Sequence, residues 1–124
     1  MIVGLGTDLV ELPRMAAALE RQGEALLARL FTARERALLD GDPQRVLRAA
    51  ARFAAKEAAL KALGTGWGQG VGWHDVEVLG GRGEPPTLAL GGAARARLAA
   101  LGGQRAYVSL THTESLAGAT VILE

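Results

Sequence analysis

The 124-residue sequence predicts an α+β chain in which an antiparallel sheet packs on one long central helix. Short apolar stretches at 1–10, 75–79, 87–90, 105–110 and 117–123 have strand length and strand composition. Residues 43–63 carry an apolar face at helical period instead, far longer than any of the strands. Glycine and proline punctuate the boundaries, and no repeat, low-complexity tail or linker divides the chain. One domain covering 1–124 is the expectation.

Taken in order, residues 1–10 read as a mostly buried strand with Asp8 inside it or at its end. An acid beside Leu9 and Val10 has two readings, a cap on the following turn or a metal ligand or base presented from a rigid edge. Pro13 suits the first position of a helix running to about Gln22, with Arg14, Glu20 and Arg21 on its polar side and Met15, Ala18 and Leu19 opposite. An arginine–methionine surface there is either a solvated face or a dock for an acidic helical partner. A short helix over 24–31 follows Gly23. Thr32 and Glu35 have capping-box spacing for a helix over 33–39. Asp42 and Pro43 then supply an N-cap and a first-position proline for the helix 43–63, which Gly64 ends.

On that long helix, Val46, Ala50, Phe53, Ala54 and Leu60 gather on one face, and Glu57 and Lys61 fall in the same sector one turn apart. Arg45, Arg48, Arg52 and Lys56 form a separate basic stripe. Charges on a core-facing side need partners, so Glu57 and Lys61 are either a partly buried ion pair or a site completed from elsewhere. Residues 64–72 place glycine at every second position, a loop able to bring backbone amides close to a ligand. Its spacing matches neither a dinucleotide fingerprint nor a Walker A loop. Residues 75–79 and 87–90 read as a hairpin, 93–101 as a short helix, and 105–110 and 117–123 as closing strands around a polar turn at 111–115.

Composition narrows the function classes. A net charge of +1 argues against a nucleic-acid or membrane partner. The absence of cysteine removes disulfides, thiolate metal sites and thiol nucleophiles, and fits a reducing compartment. With no basic leader and no apolar run of the ~20 residues a membrane helix needs, a cytoplasmic protein is expected. Two histidines do not make a zinc site, and Ser109 or Ser115 with His112 lacks the nucleophile elbow of a serine hydrolase. The carboxylates Asp8 and Glu57 suit Mg²⁺, which takes one or two carboxylates together with water and phosphate oxygens. Lys61, the glycine loop and the cluster around His112 complete the parts of a phosphoryl-transfer site.

Four blocks carry a resemblance: GLGTDLVEL at 4–12, FT at 31–32, RFAAKEAALKALGTG at 52–66 and VSLTHT at 108–113. Together and in this order they resemble the bacterial holo-(acyl-carrier-protein) synthases, the small 4′-phosphopantetheinyl transferases, along nearly the whole chain. The resemblance implies a 4′-phosphopantetheinyl transferase-like fold and Mg²⁺-dependent transfer of phosphopantetheine from coenzyme A to a serine of apo acyl carrier protein, releasing adenosine 3′,5′-bisphosphate. It implies that Asp8 and Glu57 hold the metal and that Lys61 contacts the pyrophosphate. On this mechanism the proton of the serine is expected to go to Glu57 or to metal-bound water. By the same resemblance Gly64, Thr65 and Gly66 look like the loop against coenzyme A, while Arg52, Thr111, His112 and Thr113 resemble the groups around its 3′-phosphate and adenosine. Arg14, Met15 and Arg21 resemble the helix surface that docks the carrier protein. Thr111 stands where the family more often has serine, which keeps a hydroxyl. A single half of the longer relatives implies a homotrimer with its active sites between subunits. On this reading Glu57 needs a metal, and not merely Lys61, as its partner. Two other classes are weighed against this one: a coenzyme A or nucleotide binder without catalysis, and a small metal-dependent phosphohydrolase.

Overall fold

The computed structural model describes residues 1–124. Strand β1 (Gly4–Glu11) leads into three helices, α1 (Leu12–Gln22), α2 (Glu24–Leu30) and α3 (Ala33–Leu39), and then the long α4 (Arg45–Leu63). A one-turn 3₁₀ segment at Trp73–Asp75 opens β2 (Val76–Leu79), followed by β3 (Thr87–Leu90), α5 (Gly92–Ala100), β4 (Ala106–His112) and β5 (Leu116–Leu123). The α+β expectation holds, with one refinement: the strands form two antiparallel sheets, β1-β5-β4 and the hairpin β2-β3. No helix is long and apolar enough to cross a membrane.

The three-stranded sheet lies on α4, and the sequence of β1 explains how closely. Residues two apart on a strand share a face. A Cβ on Gly4 would stand 2.3 Å from the Ala62 carbonyl oxygen, and one on Gly6 would stand 2.0 Å from that of Ala58. Only glycine lets the strand backbone lie that near the helix, whose facing residues are themselves alanines. Asp8 is next in the same alternation, so it too is aimed at α4. The other face of β1 points away, leaving Leu5 64% and Leu9 68% exposed. The strand is therefore half-buried rather than mostly buried as its apolar composition suggests, because its helix partner covers one side only.

Two apolar clusters flank α4. The larger packs Ala54, Ala58, Leu60 and Leu63 against β2, α5 and β5, and the smaller packs Ala49 and Ala50 against Met15, Leu27, Leu30, Phe31 and Leu39. The capping box on α3 forms as expected: the Glu35 backbone N–H donates to the Thr32 hydroxyl, and the Thr32 N–H donates to Glu35 Oε1. Gly64 ends α4 in the left-handed conformation at φ 74°, its N–H donating to the Leu60 carbonyl. The start of α4 differs from expectation. Gln44 is its N-cap, and Asp42 accepts from the Gln44 N–H within the preceding turn while pairing with Arg48 and Arg82. Oδ1 of that carboxylate serves the turn, and Oδ2 takes the two guanidiniums.

Candidate active site

Asp8, carried by β1, meets Lys61 on α4. The Lys61 ammonium donates to Asp8 Oδ1 at 3.0 Å and to the Thr7 carbonyl at 2.9 Å. Its side chain remains 56% exposed beside an Asp8 that is 18% exposed. Of the two readings of Glu57 and Lys61, the ion pair between them does not form, because the glycine face of β1 brings Asp8 into the ammonium's reach. Nor does Lys61 lie toward the core, where the helical period places it. Glu57 accepts from the Trp67 indole N–H instead, at 3.3 Å.

Asp8 and Glu57 line the same groove, of about 710 Å³. The same groove is lined by Arg14, Met15, Arg21 and Arg29 from α1 and α2, together with Leu30, Phe53 and Trp73. The structure thus brings both predicted metal carboxylates and all three predicted docking residues into one place. Arg14 and Arg21 are exposed, whereas Met15 is only 5% exposed and packs in the smaller apolar cluster. Arg29 and Trp73 were missed in the sequence, since nothing in their local pattern marks them; the turn at Gly23 folds α2 beside α1.

As to a metal, no group of three or more His, Asp or Glu side chains comes together anywhere in the chain. The donor set is a pair of carboxylates opening on one groove. That fits an ion which keeps several waters and substrate oxygens, and does not fit a closed protein cage.

The remaining predicted residues do not line this groove. Gly64, Thr65 and Gly66 follow the end of α4, with Gly66 at φ 57° and the Thr65 hydroxyl donating to the Gly66 carbonyl. Thr111 and His112 belong to β4, and the turn begins only at Thr113; all three are exposed. Arg52 is buried and donates to the Gly80 carbonyl at 3.0 Å. Near it Arg48 and Arg82 share the single carboxylate Asp42 at 2.5 and 2.6 Å. Burial pulls the Arg52 guanidinium below its ordinary pKa, with nearby Glu35 opposing and Arg48 and Arg82 reinforcing.

The basic stripe on α4 turns inward at its lower end. Lys56 is fully buried with Glu35: its ammonium donates to Glu35 Oε1 at 2.8 Å, to the Trp73 carbonyl at 2.9 Å and to the Val76 carbonyl. Glu35 Oε2 accepts from the Val78 N–H at 3.0 Å. Burial lowers the Lys56 pKa, and Glu35 works against that shift. This pair satisfies itself and joins α3, α4 and β2; it does not open on the groove.

The 4′-phosphopantetheinyl transferase superfamily matches residues 4–117 as a family model. The holo-[acyl-carrier-protein] synthase of Koribacter versatilis is 48% identical over 124 residues, covering 100% of this chain and 99% of its own. The crystal structure of holo-[acyl-carrier-protein] synthase from Neisseria meningitidis superposes with a TM-score of 0.90 at 32% identity, covering 100% of this chain and 99% of that one. The holo-(acyl-carrier-protein) synthase of Bacillus anthracis, solved in complex with CoA (3′,5′-ADP), gives 0.81 at 33% identity over 99% and 96% of the two chains.

Proposed function

We propose that this chain, which belongs to the 4′-phosphopantetheinyl transferase superfamily, is a holo-(acyl-carrier-protein) synthase that works as one domain. It transfers 4′-phosphopantetheine from coenzyme A to a serine of apo acyl carrier protein and releases adenosine 3′,5′-bisphosphate. The observation that carries the mechanism is the groove that Asp8 and Glu57 line together with Arg14 and Arg21, with Lys61 held on Asp8.

Arg14 and Arg21 draw in an acidic carrier helix, and the apolar lining of the groove receives its uncharged residues. The carrier serine oxygen bonds to the β-phosphorus of coenzyme A while the bond from that phosphorus to the leaving 3′,5′-ADP oxygen breaks. Glu57 takes the serine proton, directly or through a water. Lys61, already exposed, stabilises charge on the departing phosphate. Asp8 and Glu57 are the residues to hold Mg²⁺, which would neutralise pyrophosphate charge when bound. Arg52, with Arg48 and Arg82 outnumbering Asp42, supports a place for the 3′-phosphate, and Thr111, His112 and Thr113 one for the adenosine. The loop at Gly64–Gly66 lies against coenzyme A.

A homotrimer in the cytoplasm belongs to the same reading. The outward sheet face, with Leu5, Leu9 and Tyr107 exposed, supports burial against further copies. A site shared between copies also accounts for predicted coenzyme A residues that lie outside the groove. Sedimentation equilibrium tests it, and a monomer mass at assay concentration sinks it.

The function is tested by incubating the protein with coenzyme A, Mg²⁺ and apo carrier protein, then weighing the carrier by mass spectrometry. A gain of one phosphopantetheine is expected, and is abolished by EDTA. No gain removes the transferase reading, and a full gain in EDTA removes the metal.

A further inference from the structure

We propose that Trp67 is a positioning residue for Glu57: its indole N–H fixes the carboxylate that the groove presents. This rests on the reactive role proposed above for Glu57. The motif spacing offers Glu57 an ammonium one turn along α4, yet Lys61 is taken by Asp8 and the Thr7 carbonyl. The one hydrogen bond Glu57 receives from another side chain is the indole N–H, at 3.3 Å. A neutral donor orients a carboxylate without cancelling its charge, which stays available to a cation or a proton.

Trp67 is itself held. Its ring lies 3.6 Å, centroid to centroid, from that of Trp73, and Trp73 stacks on Phe53 at 5.3 Å. The Trp73 carbonyl is tied to the buried Lys56 ammonium. Trp67 packs against the larger apolar cluster, and Phe53 and Trp73 against the smaller. The stack therefore bridges the two cores beside the groove that Phe53, Trp73 and Glu57 line. Around Trp67 the loop backbone is irregular, with Gly66, Gln69 and Gly70 all at positive φ. The indole is its anchor, and it joins the glycine loop to the carboxylate that follows Lys56 on α4.

The test pairs Trp67→Phe, which keeps a stacking ring and loses the N–H, with Glu57→Gln, using indole N–H NMR and steady-state transfer kinetics. The chain has two tryptophans, so the indole signal missing from Trp67→Phe identifies that of Trp67. We expect Glu57→Gln to move this signal. We expect Trp67→Phe to lower kcat about tenfold, the worth of one hydrogen bond to a charged acceptor, with KM for coenzyme A within about twofold. An indole signal unmoved by Glu57→Gln overturns the contact. Wild-type kcat in Trp67→Phe, beside an inactive Glu57→Gln, overturns the positioning role alone. A Glu57→Gln variant with wild-type transfer overturns the role of Glu57 from which this one derives.

Discussion

The chain's only two lysines stand five positions apart on α4, each beside a carboxylate, and the two pairs are built in opposite ways. Lys56 and Glu35 are both at 0% exposure, and every proton of the ammonium has an acceptor within the fold. Lys61 is more than half exposed, and its ammonium has one carboxylate and one carbonyl. A saturated, dry ion pair cannot take a substrate phosphate without breaking the fold, whereas an exposed one can exchange partners at little cost. Burial, rather than residue type, separates the structural lysine from the one suited to transfer chemistry.

The largest way to break this contrast is at the buried end. Lys56→Met strands the Glu35 charge and should cost about 3–5 kcal/mol of stability, read by urea denaturation. Adding Glu35→Gln removes the stranded charge while keeping an acceptor for the Val78 N–H, and should recover at least about 1 kcal/mol. If the double variant is no better than Lys56→Met, the charge is not what the fold is compensating.

The exposed end should respond in the other currency. Lys61→Ala should leave stability within about 1 kcal/mol, as surface pairs do. Its transfer rate should fall about 10²–10³-fold, the loss expected for a donor to developing charge. A variant that unfolds as readily as Lys56→Met would make both lysines structural.

The smallest effect sharpens the comparison with a third ionic centre. The Gln44 N–H holds the Asp42 carboxyl below its ordinary value, with Arg82 adding to it and desolvation opposing. A lowered folded-state value contributes stability above the unfolded value near ~4 and loses it as pH falls through the folded one. The difference in urea midpoint between wild type and Asp42→Asn should therefore shrink between pH 7 and pH 3. A constant difference would show that the carboxylate's charge plays no part.

Much of the fold was legible locally. The capping box at Thr32 and Glu35, the left-handed stop at Gly64 and the hairpin of 76–79 with 87–90 each follow from residues within a few positions of one another. The same holds for Asp8, Glu57 and Lys61 as candidates, since acids and a lysine on apolar elements stand out before any contact is known. Their pairing was not legible. Helical period set Glu57 against Lys61, and it could not show that two strand glycines bring Asp8 to that lysine. Nor could it show that Glu35, already a capping residue, is also the partner of Lys56.

What the sequence determined by itself is the element order, the family and the short set of charged residues from which a site could be made, because these depend on local pattern and on motifs in register. What the tertiary structure alone decided is which charge meets which. That depends on how closely β1 lies on α4, and on where the loop after Gly64 returns its tryptophan. Both are distances between elements remote in the chain, and burial and ion-pair energies vary too steeply with such distances for spacing to encode them.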